Sequence, residues 1–405
     1  MGCKVNQYET QAIETILQSH GHRNEVPADI IIVNTCAVTA EAGRKSRQLI
    51  NRLKKENPGA LTAVCGCYAQ ATDVDADIVF GTNDKAAFIK AIEDKISERN
   101  IDNPFKRRQF EFLPAGAVDG RTRAMLKIQD GCVNFCTYCI IPYTRGRLRS
   151  LPVEDAVLET VRMETEGFKE LVLTGIEIAS YGEDLPGKPT LTDVVESCAG
   201  ACSGMRIRLG SLEPTIVTED FCRRLSATGR ICRQFHLALQ SGCDRTLKNM
   251  NRKYDTERFY ESCQLLRKYF PGCAITCDMI VGFPGETEED FSQTLEFIKK
   301  CAFSQMHIFP YSRRPGTPAD SMPDQCTRTV KNQRAKRASE IAEEMHREFL
   351  QSYIGKTVPV LIESNNQGHT DTYVLVKLEG NALRNEMVNV KIDRIEGEAL
   401  YGKSV

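Results

Sequence analysis

Residues from Arg123 onward alternate between strand-like and helix-like runs, and this alternation limits the fold more than any other feature of the sequence. Six strand-like runs lie at 124–129, 170–174, 206–211, 234–240, 275–281 and 305–309. Helix-like runs lie between them, at 152–166, 190–200, 217–226, 255–269 and 286–300. Strands that alternate with helices of this length form parallel sheets, so the sequence predicts an α/β fold with a partial or complete parallel barrel.

Three cysteines directly follow the first strand of this series. Cys132, Cys136 and Cys139 have C-x3-C-x2-C spacing on a loop that begins with Gly131. Three thiolates can hold three irons of a 4Fe–4S cube and leave the fourth iron open to a substrate such as S-adenosylmethionine. A structural zinc site is the alternative, but zinc usually has four protein ligands, and the next cysteine, Cys198, is far along the chain. The spacing therefore favours an iron–sulfur cluster.

The first 97 residues have the same alternation on a smaller scale and predict a separate parallel α/β domain, 1–97. Strand-like runs lie at 30–34, 61–64 and 78–80, and helical patterns at 8–19, 40–56 and 84–97. Cys3 precedes the first helix, whereas Cys36 and Cys67 follow the first two strands. We expect these thiols at one edge of the sheet, where they could hold a second cluster. The alternatives are that they are small buried core residues, or that Cys65 replaces Cys67.

The remaining segments differ in composition from these two α/β regions. Residues 98–120 contain Pro, Gly, Asn and Arg in a pattern typical of a linker, and a core domain is predicted over 121–352, ending in a charged helix. Strand-like runs at 358–363, 372–378, 387–392 and 399–403 are separated by Gly or Asn turns. They predict a five-stranded, OB-like β-barrel over 353–405. Such barrels often bind nucleic acid, although a neutral β appendage is the alternative.

Cysteine content and charge limit the cellular setting. Seventeen cysteines at irregular spacings argue against a secreted disulfide framework and favour a reducing cytoplasm. No apolar run has the roughly 18 residues that a membrane span needs, and no signal peptide opens the chain. The net charge is −1, so a polyanionic partner would need a local basic face. Arg145, Arg147 and Arg149 suit phosphate contact, unless they pair internally with acids such as Glu154.

Several stretches resemble motifs of a known enzyme family. The loop from Gly131 to Cys139, with Tyr138 before its last cysteine, resembles that of the radical S-adenosylmethionine enzymes. Gly2–Thr10, Asn34–Val38 and Gly66–Gln70 resemble the three cysteine motifs of the methylthiotransferases within that group. The sequence Lys-Val-Asn-Gln-Tyr-Glu-Thr at residues 4–10 resembles the corresponding motif in the branch that acts on N6-threonylcarbamoyladenosine in tRNA. Residues 368–373 resemble part of the TRAM domain, an RNA-binding module.

This resemblance implies a six-stranded partial barrel as the radical core and a TRAM domain at the C-terminus. It also implies two 4Fe–4S clusters, of which one reduces S-adenosylmethionine and the other holds a sulfur that is methylated by a second S-adenosylmethionine. The implied cluster ligands are Cys132, Cys136 and Cys139 for the first, and Cys3, Cys36 and Cys67 for the second. The residues implied to bind S-adenosylmethionine are Tyr138, Gly175, Glu213 and Gln240. Family members have a strand before the first cysteine, so we expect an open sheet edge here.

The implied reaction is methylthiolation of C2 of N6-threonylcarbamoyladenosine at position 37, next to the anticodon of tRNAs that read ANN codons. Two sister branches are alternatives: one acts on isopentenyl-modified adenosine in tRNA and the other on an aspartate of a ribosomal protein. From a different class, a zinc-stabilised RNA-binding protein without catalytic activity is also possible on the cysteine pattern. The sequence does not identify the electron donor.

Overall fold

The computed structural model describes residues 2–114 and 122–405. Residues 115–120 of the predicted linker, and residue 121 at the predicted start of the core domain, lie outside the described residues. The described chain forms a small parallel sheet with helices, a larger parallel sheet with helices, and a closed β-barrel. No described helix is long and apolar enough to cross a membrane.

The N-terminal sheet has four parallel strands in the order β1–β2–β3–β4. The strands are β1 (Ile30–Thr35), β2 (Leu61–Gly66), β3 (Ile78–Phe80) and β4 (Glu98–Asn100). The helices are α1 (Lys4–Ser19), α2 (Ala40–Glu56), α3 (Cys67–Ala71) and α4 (Lys85–Glu93). β1 forms one edge of this sheet, where an open edge was expected.

Two local predictions in this domain need correction. β4 lies in the segment that the sequence assigns to the linker, and it has no apolar alternation that could have identified it. The helix predicted over 84–97 ends at Glu93, because Lys95 adopts a left-handed backbone conformation with φ +52° that cannot continue a helix.

The central domain contains the six parallel strands that the alternation predicts. In chain order they are β5 (Arg123–Lys127), β8 (Glu170–Thr174), β9 with β10 (Arg206–Leu209 and Ser211–Leu212), β11 (Gln234–Gln240), β12 (Ala274–Val281) and β13 (Gln305–Pro310). A short antiparallel pair, β6 (Gln129–Asp130) and β7 (Arg149–Ser150), flanks the cysteine loop. The pairings run β5–β8–β9 and β10–β11–β12–β13, and among the described residues β5 does not pair with β13. The barrel is therefore partial.

The helices of this domain cover the outside of the strands. They are α5 (Ile141–Arg145), α6 (Val153–Thr165), α7 (Leu191–Ala201), α8 (Glu219–Ala227), α9 (Asp244–Asn249), α10 (Thr256–Tyr269), α11 (Glu288–Cys301) and α12 (Arg328–Gln351). Capping boxes fix the starts of α7 and α11, through Thr190 with Asp193 and Thr287 with Asp290. The core lies between the strands and these helices. It includes several cysteines, such as Cys222, that are fully buried away from the loop.

The C-terminal segment forms a closed barrel of five strands in the order β14–β15–β16–β18–β17. The strands are β14 (Thr357–Ser364), β15 (Gln367–Thr370), β16 (Leu375–Glu379), β17 (Met387–Glu396) and β18 (Ala399–Ser404). β16 and β18 are parallel and the other neighbours are antiparallel. The predicted OB-like barrel is confirmed as a closed five-stranded barrel.

Candidate active site between two groups of cysteines

The loop that carries Cys132, Cys136 and Cys139, called the barrel cysteines from here on, has a fixed backbone path. It begins at Gly131, where φ is +76° and an added Cβ would lie 1.9 Å from the carbonyl oxygen of Arg147. Only glycine fits this position. In the middle of the loop, Asn251 Nδ2 donates to the carbonyls of Asn134 (3.2 Å) and Phe135 (3.0 Å). The fold thus presents the three thiols on a loop that is anchored at two points.

A buried arginine that the sequence analysis missed connects this loop to the predicted cofactor residues. Arg252 Nη1 donates to Cys136 Sγ (3.1 Å), and its Nη2 donates to Glu213 Oε2 (2.7 Å). Its Nε donates to the Tyr254 hydroxyl (3.0 Å). The side chains of Arg252 and Glu213 are only 6% and 9% exposed. The sequence signal for Arg252 is weak: it lies in the connection that follows a predicted barrel strand.

One oxygen of Glu213 is left without a partner. Burial raises the pKa of Glu213, and the neighbouring Arg252 acts against this rise. Oε2 pairs with Arg252, but within the described part of the chain the buried Oε1 has no hydrogen-bond partner. Buried polar atoms are normally satisfied, so an unpaired carboxylate oxygen beside the cysteine loop indicates a place for a ligand donor. The hydroxyl and amino groups of S-adenosylmethionine are suitable donors.

Tyr138 and Gln240 are connected to the same arginine in different ways. Burial raises the pKa of Tyr138, and Arg252 is close enough to oppose this rise. Gln240 ends β11 at a bulge, with φ +63°. The residue before it, Leu239, accepts a hydrogen bond (2.9 Å) from the Tyr254 hydroxyl to which Arg252 also donates. Arg252 therefore contacts Glu213, acts on the charge of Tyr138, and reaches the residue before Gln240 through the Tyr254 hydroxyl.

The fourth, Gly175, has a different local role. An added Cβ would lie 2.8 Å from Gln129 Oε1. This oxygen accepts from the backbone N–H groups of Ile176 (2.9 Å) and Glu177 (2.8 Å). The need for glycine at position 175 thus comes from Ile178, whose Cγ2 would lie 2.7 Å from the added Cβ, and from Gln129, which the sequence analysis did not single out. Gln129 fixes the loop after β8 beside the barrel cysteines.

The N-terminal cysteines, Cys3, Cys36 and Cys67, come together at one end of the N-terminal sheet. Cys3 caps the start of α1, Cys36 follows β1, and Cys67 begins α3. Asn6 Nδ2, from the first turn of α1, donates to the carbonyls of Asn34 and Thr35 (both 3.3 Å) and so holds the helix start against the end of β1.

The competing thiol, Cys65, lies elsewhere. It is fully buried in the core between the sheet and helices α1 and α4, where its Sγ lies 3.7 Å from Asn34 Oδ1. Cys67 instead lies one residue beyond Gly66, whose φ of +99° turns the chain at the end of β2. An added Cβ at Gly66 would lie 2.4 Å from the Thr35 carbonyl, so the ends of β1 and β2 approach closely here. Of the two thiols, Cys67 is the one beside Cys36.

The charges of the N-terminal thiols act on one another. Burial raises the pKa of Cys3 to about 11, and thiolate charge on Cys67 or Cys36 raises it further, whereas Arg145 lowers it. Burial likewise raises the pKa of Cys67, which Arg145 also opposes. Thiols of this kind ionise when a bound cation takes up the charge, as happens when a metal centre binds.

The two cysteine groups face each other. Cys67 shares an apolar contact group with Ala37 and Ile141, and Cys132 and Cys139 pack against the same group. Burial raises the pKa of Cys139 to about 12, and charge on Cys67 contributes to the rise. The carboxyl ends of strands from two different sheets therefore meet at a single apolar space.

Arg314 lies between the two groups and was also missed from the sequence. Its Nη2 donates to the Ala37 carbonyl (2.5 Å), and its buried Nε has no partner within the described residues. Burial lowers the pKa of Arg314, while Cys36 and Cys139 oppose this. Arg314, on the chain segment that follows β13, is thus a cation whose charge interacts with a thiol of each group.

A buried ion network fastens the two domains together beside the site. Glu9, on α1, accepts hydrogen bonds from Arg145 Nη1 (2.8 Å) and Nη2 (2.9 Å), and Lys127 Nζ lies 3.3 Å away. Asp130 pairs with both cations as well. Burial would raise the pKa of Glu9, but Arg145 and Lys127 outweigh it and lower the pKa to about 2.

This network corrects the prediction for the arginine run. Arg145 is fully buried and Arg149 is 2% exposed, so neither can contact a phosphate group. Arg145 pairs with Glu9 and Asp130, and Arg149 lies 3.5 Å from Asp130, rather than with Glu154. Only Arg147 is exposed. Internal pairing was the correct alternative for two of the three arginines, with different acids.

Both cysteine groups consist of three thiols, the donor type that iron–sulfur clusters use. Within residues 2–114 and 122–405, no group of three His, Cys, Asp or Glu side chains is arranged to hold one metal ion. A single ion draws its ligand atoms to one point, whereas the thiolates of a 4Fe–4S cube bind separate irons at its corners. Two groups of three thiols, and an unpaired carboxylate oxygen beside one of them, fit clusters that each leave one iron open.

Comparison with known proteins agrees with this geometry. The radical SAM superfamily matches residues 126–298, and a family described as uncharacterized protein family UPF0004 matches residues 1–84. The protein of Bacillus subtilis named threonylcarbamoyladenosine tRNA methylthiotransferase MtaB is 39% identical, over 97% of this chain and 92% of its own length. A tRNA-2-methylthio-N(6)-dimethylallyladenosine synthase of Finegoldia magna is 33% identical, over 100% and 93%.

A solved structure supports the fold. The radical S-adenosylmethionine methyltransferase TsrM of Kitasatospora setae, with tryptophan and a cofactor analogue bound, superposes with a TM-score of 0.55. The match covers 76% of this chain and 66% of that one at 14% identity, so it speaks for the fold alone. The two relatives named above share about a third or more of their residues with this chain over nearly its whole length. The chain therefore belongs to the radical S-adenosylmethionine methylthiotransferase family.

Proposed function

We propose that this enzyme adds a methylthio group to C2 of N6-threonylcarbamoyladenosine at position 37 of tRNA, next to the anticodon. The observation that carries the proposal is the meeting of the N-terminal and barrel cysteines at one apolar contact group. C2 of the adenine must lose a hydrogen to a radical formed from S-adenosylmethionine and gain sulfur from a second cofactor. Both cofactors must therefore lie close to this carbon. The space between the two cysteine groups offers that position.

In this proposal the barrel cysteines hold one 4Fe–4S cluster, and the N-terminal cysteines hold a second. An aromatic C–H offers no acid–base handle; when bound, the clusters and S-adenosylmethionine supply the radical and the methylated sulfur that replace acid–base chemistry. The chain itself supplies position and shelter. The apolar side chains around Ile141 keep water away from the reacting groups.

Four residues are proposed to hold S-adenosylmethionine. Glu213, with its unpaired Oε1, accepts a hydrogen bond from a cofactor hydroxyl or amino group. Tyr138 forms one wall beside Arg252, and the backbone at Gly175 and Gln240 forms the ends of two strands that border the same space. Arg252 fixes the Glu213 carboxylate and the loop at Cys136 relative to each other.

The choice of tRNA base is supported by the motif at residues 4–10 and by the relatives. The Bacillus subtilis relative, whose name specifies threonylcarbamoyladenosine, is more similar than the Finegoldia magna synthase, whose name specifies dimethylallyladenosine. Dimethylallyladenosine, the base in the name of the Finegoldia magna synthase, is therefore the competing substrate. If N6-threonylcarbamoyladenosine is the substrate, the targets are tRNAs that read ANN codons. The C-terminal barrel is the proposed RNA-binding domain, because OB-like barrels often bind nucleic acid.

We also propose that the reaction takes place in a reducing cytoplasm. Many of the seventeen cysteines are buried and all are free thiols, which suits a compartment in which disulfides are rare. Reduction of the clusters requires an electron donor.

Mass spectrometry of nucleosides from total tRNA, in cells with and without the gene, tests the substrate. We expect the 2-methylthio form of N6-threonylcarbamoyladenosine to disappear in the deletion strain, and the unmethylthiolated form to accumulate. Disappearance of the 2-methylthio isopentenyl nucleoside instead would support the competing substrate. An unchanged nucleoside profile would contradict both.

Cysteine variants test the two cluster assignments in purified, reconstituted enzyme. Cys132→Ala should abolish cleavage of S-adenosylmethionine, whereas Cys36→Ala should retain cleavage but form no methylthio product. Cys222→Ala is the matched control, because this thiol is fully buried in the core of the central domain, and it should retain both activities. Full product formation by the Cys36→Ala enzyme would contradict the assignment of the second cluster.

A further inference from the structure

A cavity of about 690 Å³ lies inside the partial barrel, towards the amino-terminal ends of its strands. Residues from α1, from the barrel strands and from the C-terminal barrel line it. None of Tyr138, Gly175, Glu213 or Gln240, which are proposed to hold S-adenosylmethionine, is among the lining residues. The cavity is thus a separate space from the proposed cofactor pocket, and its volume is in the range of small-molecule sites.

The lining of this cavity is rich in groups that favour an anion. Three of its residues are Lys or Arg, four are His and two are Glu: Lys4, Arg123, Arg208, His236, His307, His346, His369, Glu363 and Glu398. The chain has only six histidines, and four of them face this one space. A concentration of cationic and hydrogen-bonding groups in a confined cavity lowers the free energy of a bound carboxylate or phosphate.

Most of these groups already have partners. Arg123 pairs with Glu363 (2.8 Å), and Arg208 pairs with Glu170 on β8 (2.6 Å). His369 also contacts Glu363 (2.8 Å). These pairs neutralise much of the charge and form the fixed walls of the cavity.

Lys4 differs from the other cations. Within the described part of the chain, no carboxylate forms an ion pair with its ammonium group. Two acids of the barrel strands, Glu170 and Asp278, are already engaged, by Arg208 and by His236 (3.4 Å). Lys4 and Gln7, one helical turn apart on α1, both present exposed side chains to the cavity.

The position of Lys4 connects the cavity to the reaction site. It follows Cys3 directly, and Cys3 belongs to the thiol group that is proposed to hold the transferred sulfur. Lys4 is the lining residue that adjoins a proposed cluster ligand, whereas the strand residues of the lining lie towards the ends opposite the cysteine loop. A substituent that passes the start of α1 from a base beside the N-terminal cysteines therefore meets Lys4 first. The threonylcarbamoyl group carries a carboxylate, a hydroxyl and a carbamoyl group, which match an ammonium, an amide and imidazoles in kind.

We propose that this cavity receives the threonylcarbamoyl substituent of the target adenosine, and that Lys4 is the specificity-determining residue that binds its carboxylate. This inference rests on the proposed function. It explains how the enzyme distinguishes its base from one that carries an uncharged alkyl substituent: the alkyl group offers no carboxylate to the ammonium group of Lys4, so the charge-assisted hydrogen bond is not formed.

S-adenosylmethionine also carries a carboxylate, so the same chemistry has two possible sources. The separation of the cavity from Glu213 and Gln240 favours the substrate. The two sources predict different effects of a Lys4 variant. If Lys4 binds the substrate, the KM for S-adenosylmethionine in RNA-free cleavage to 5′-deoxyadenosine stays at the wild-type value; if it binds the cofactor, that KM rises.

The test compares two anticodon stem-loop RNAs, one with N6-threonylcarbamoyladenosine and one with its threonine methyl ester, which lacks the charge. For the wild-type enzyme we expect kcat/KM to favour the acid over the ester by about tenfold to a hundredfold, the range of a charge-assisted hydrogen bond. This ratio should fall towards one in Lys4→Gln and recover in Lys4→Arg. Lys45→Gln, an exposed lysine on α2, is the matched control and should keep the wild-type ratio.

Two further readouts protect the test from a trivial failure. Iron and sulfide content, and the electron paramagnetic resonance spectrum, should be the same in Lys4→Gln and wild type; a lost cluster would show that the variant acts through Cys3. The equilibrium affinity of each RNA, measured by fluorescence anisotropy, should show the same loss of preference for the acid. An equal effect of Lys4→Gln on acid and ester, with intact clusters, would overturn the inference.

Failure of the proposed function would look different. In that case the wild-type enzyme would methylthiolate neither the acid nor the ester, or would act on an isopentenyl stem-loop instead. Active turnover of the acid by wild type, with no preference over the ester, would leave the proposed function in place and remove only the role of Lys4.

Discussion

The two ends of the central barrel each bury a network of charged side chains, but the two networks are joined to their neighbouring domains in different ways. At the end that carries the cysteine loop, the acid comes from another domain: Glu9 of α1 pairs with Arg145 and Lys127. At the opposite end, Glu170 pairs with Arg206 and Arg208 of the adjacent strand. All three of these residues belong to the barrel itself.

The buried cations of the two networks contact their neighbouring domains through different groups. At the cysteine end, charged side chains from two domains meet directly. At the opposite end, the arginines reach the C-terminal barrel through backbone atoms: Arg206 donates to the His369 carbonyl (3.1 Å) and Arg208 to the Asp371 carbonyl (2.9 Å). The buried cations of the first network therefore depend on an acidic side chain of another domain, whereas those of the second contact backbone carbonyls of the C-terminal barrel. The side-chain ion pairs Arg123–Glu363 and Arg233–Asp371 cross the second boundary beside this network.

Glu9→Gln should have the largest effect on stability. It leaves Arg145 and Lys127 buried with Asp130 as their remaining acid, and loss of one partner from a buried ion network costs about 3–5 kcal/mol. Guanidinium denaturation of the purified enzyme measures the free energy of unfolding. Glu41→Gln is the control, because Glu41 is half exposed on α2 and solvent screens its ion pairs with Arg44 and Lys45. Equal losses in the two variants would contradict the comparison.

Glu170 makes the opposite network sensitive to acid. Burial alone would raise its pKa, but Arg208 and Arg206 outweigh burial and lower it to about 2. A carboxyl group with a lowered pKa stabilises the fold above its unfolded pKa of about 4.5 and loses this contribution as the pH falls towards 2. The contribution amounts to about 3 kcal/mol.

The measurement is the free energy of unfolding at pH 5 and pH 3, for wild type and Glu170→Gln. The variant should be less stable at pH 5, and the gap between the two proteins should narrow at pH 3. Because Glu9 titrates in the same range and is present in both proteins, only the difference between them reports on Glu170. If the difference in free energy of unfolding between the two proteins does not depend on pH, Glu170 stabilises the fold by packing rather than by its charge.

Asp371→Asn should have a much smaller effect, although Asp371 lies at the same boundary. Its ion pair with Arg233 (2.6 Å) is partly exposed, with the two side chains at 19% and 41% exposure, and such pairs contribute about 1 kcal/mol or less. The variant keeps the backbone carbonyl that accepts from Arg208. Arg208→Met is the contrasting variant, since it removes the buried cation and should cost several times more by denaturation. Equal effects would mean that the loop is held by its side chain after all.

Local patterns predicted the elements whose signals are local. All six barrel strands, and the helices between them, lie within a few residues of their predicted bounds, because apolar periodicity and buried strands coincide in a parallel barrel. β4 and β15 escaped prediction because Glu98–Asn100 and Gln367–Thr370 carry polar side chains and owe their conformation to a neighbouring strand.

In the candidate site, too, the residues with a local sequence signal were predicted and the others were not. Cysteine spacing and motif wording placed six thiols that the fold brings into two facing groups. Arg252, Arg314 and Gln129 carried no such signal, because an isolated polar residue in a loop shows its partner only after folding. Arg145 is the clearest case: its acid, Glu9, lies 136 residues away in sequence, so a local reading of the arginine run could not find it.

Arg147 should have the smallest effect on stability and a selective effect on RNA. It is the one exposed member of the run, and its side chain projects from the segment that supports the cysteine loop. In Arg147→Ala the free energy of unfolding should change by less than about 0.5 kcal/mol. If Arg147 contacts a phosphate of tRNA, affinity falls, and the slope of log affinity against log salt concentration decreases by about one. Filter binding of tRNA over a series of salt concentrations measures the affinity and the slope. An unchanged slope would show that Arg147 does not contact a phosphate of the RNA.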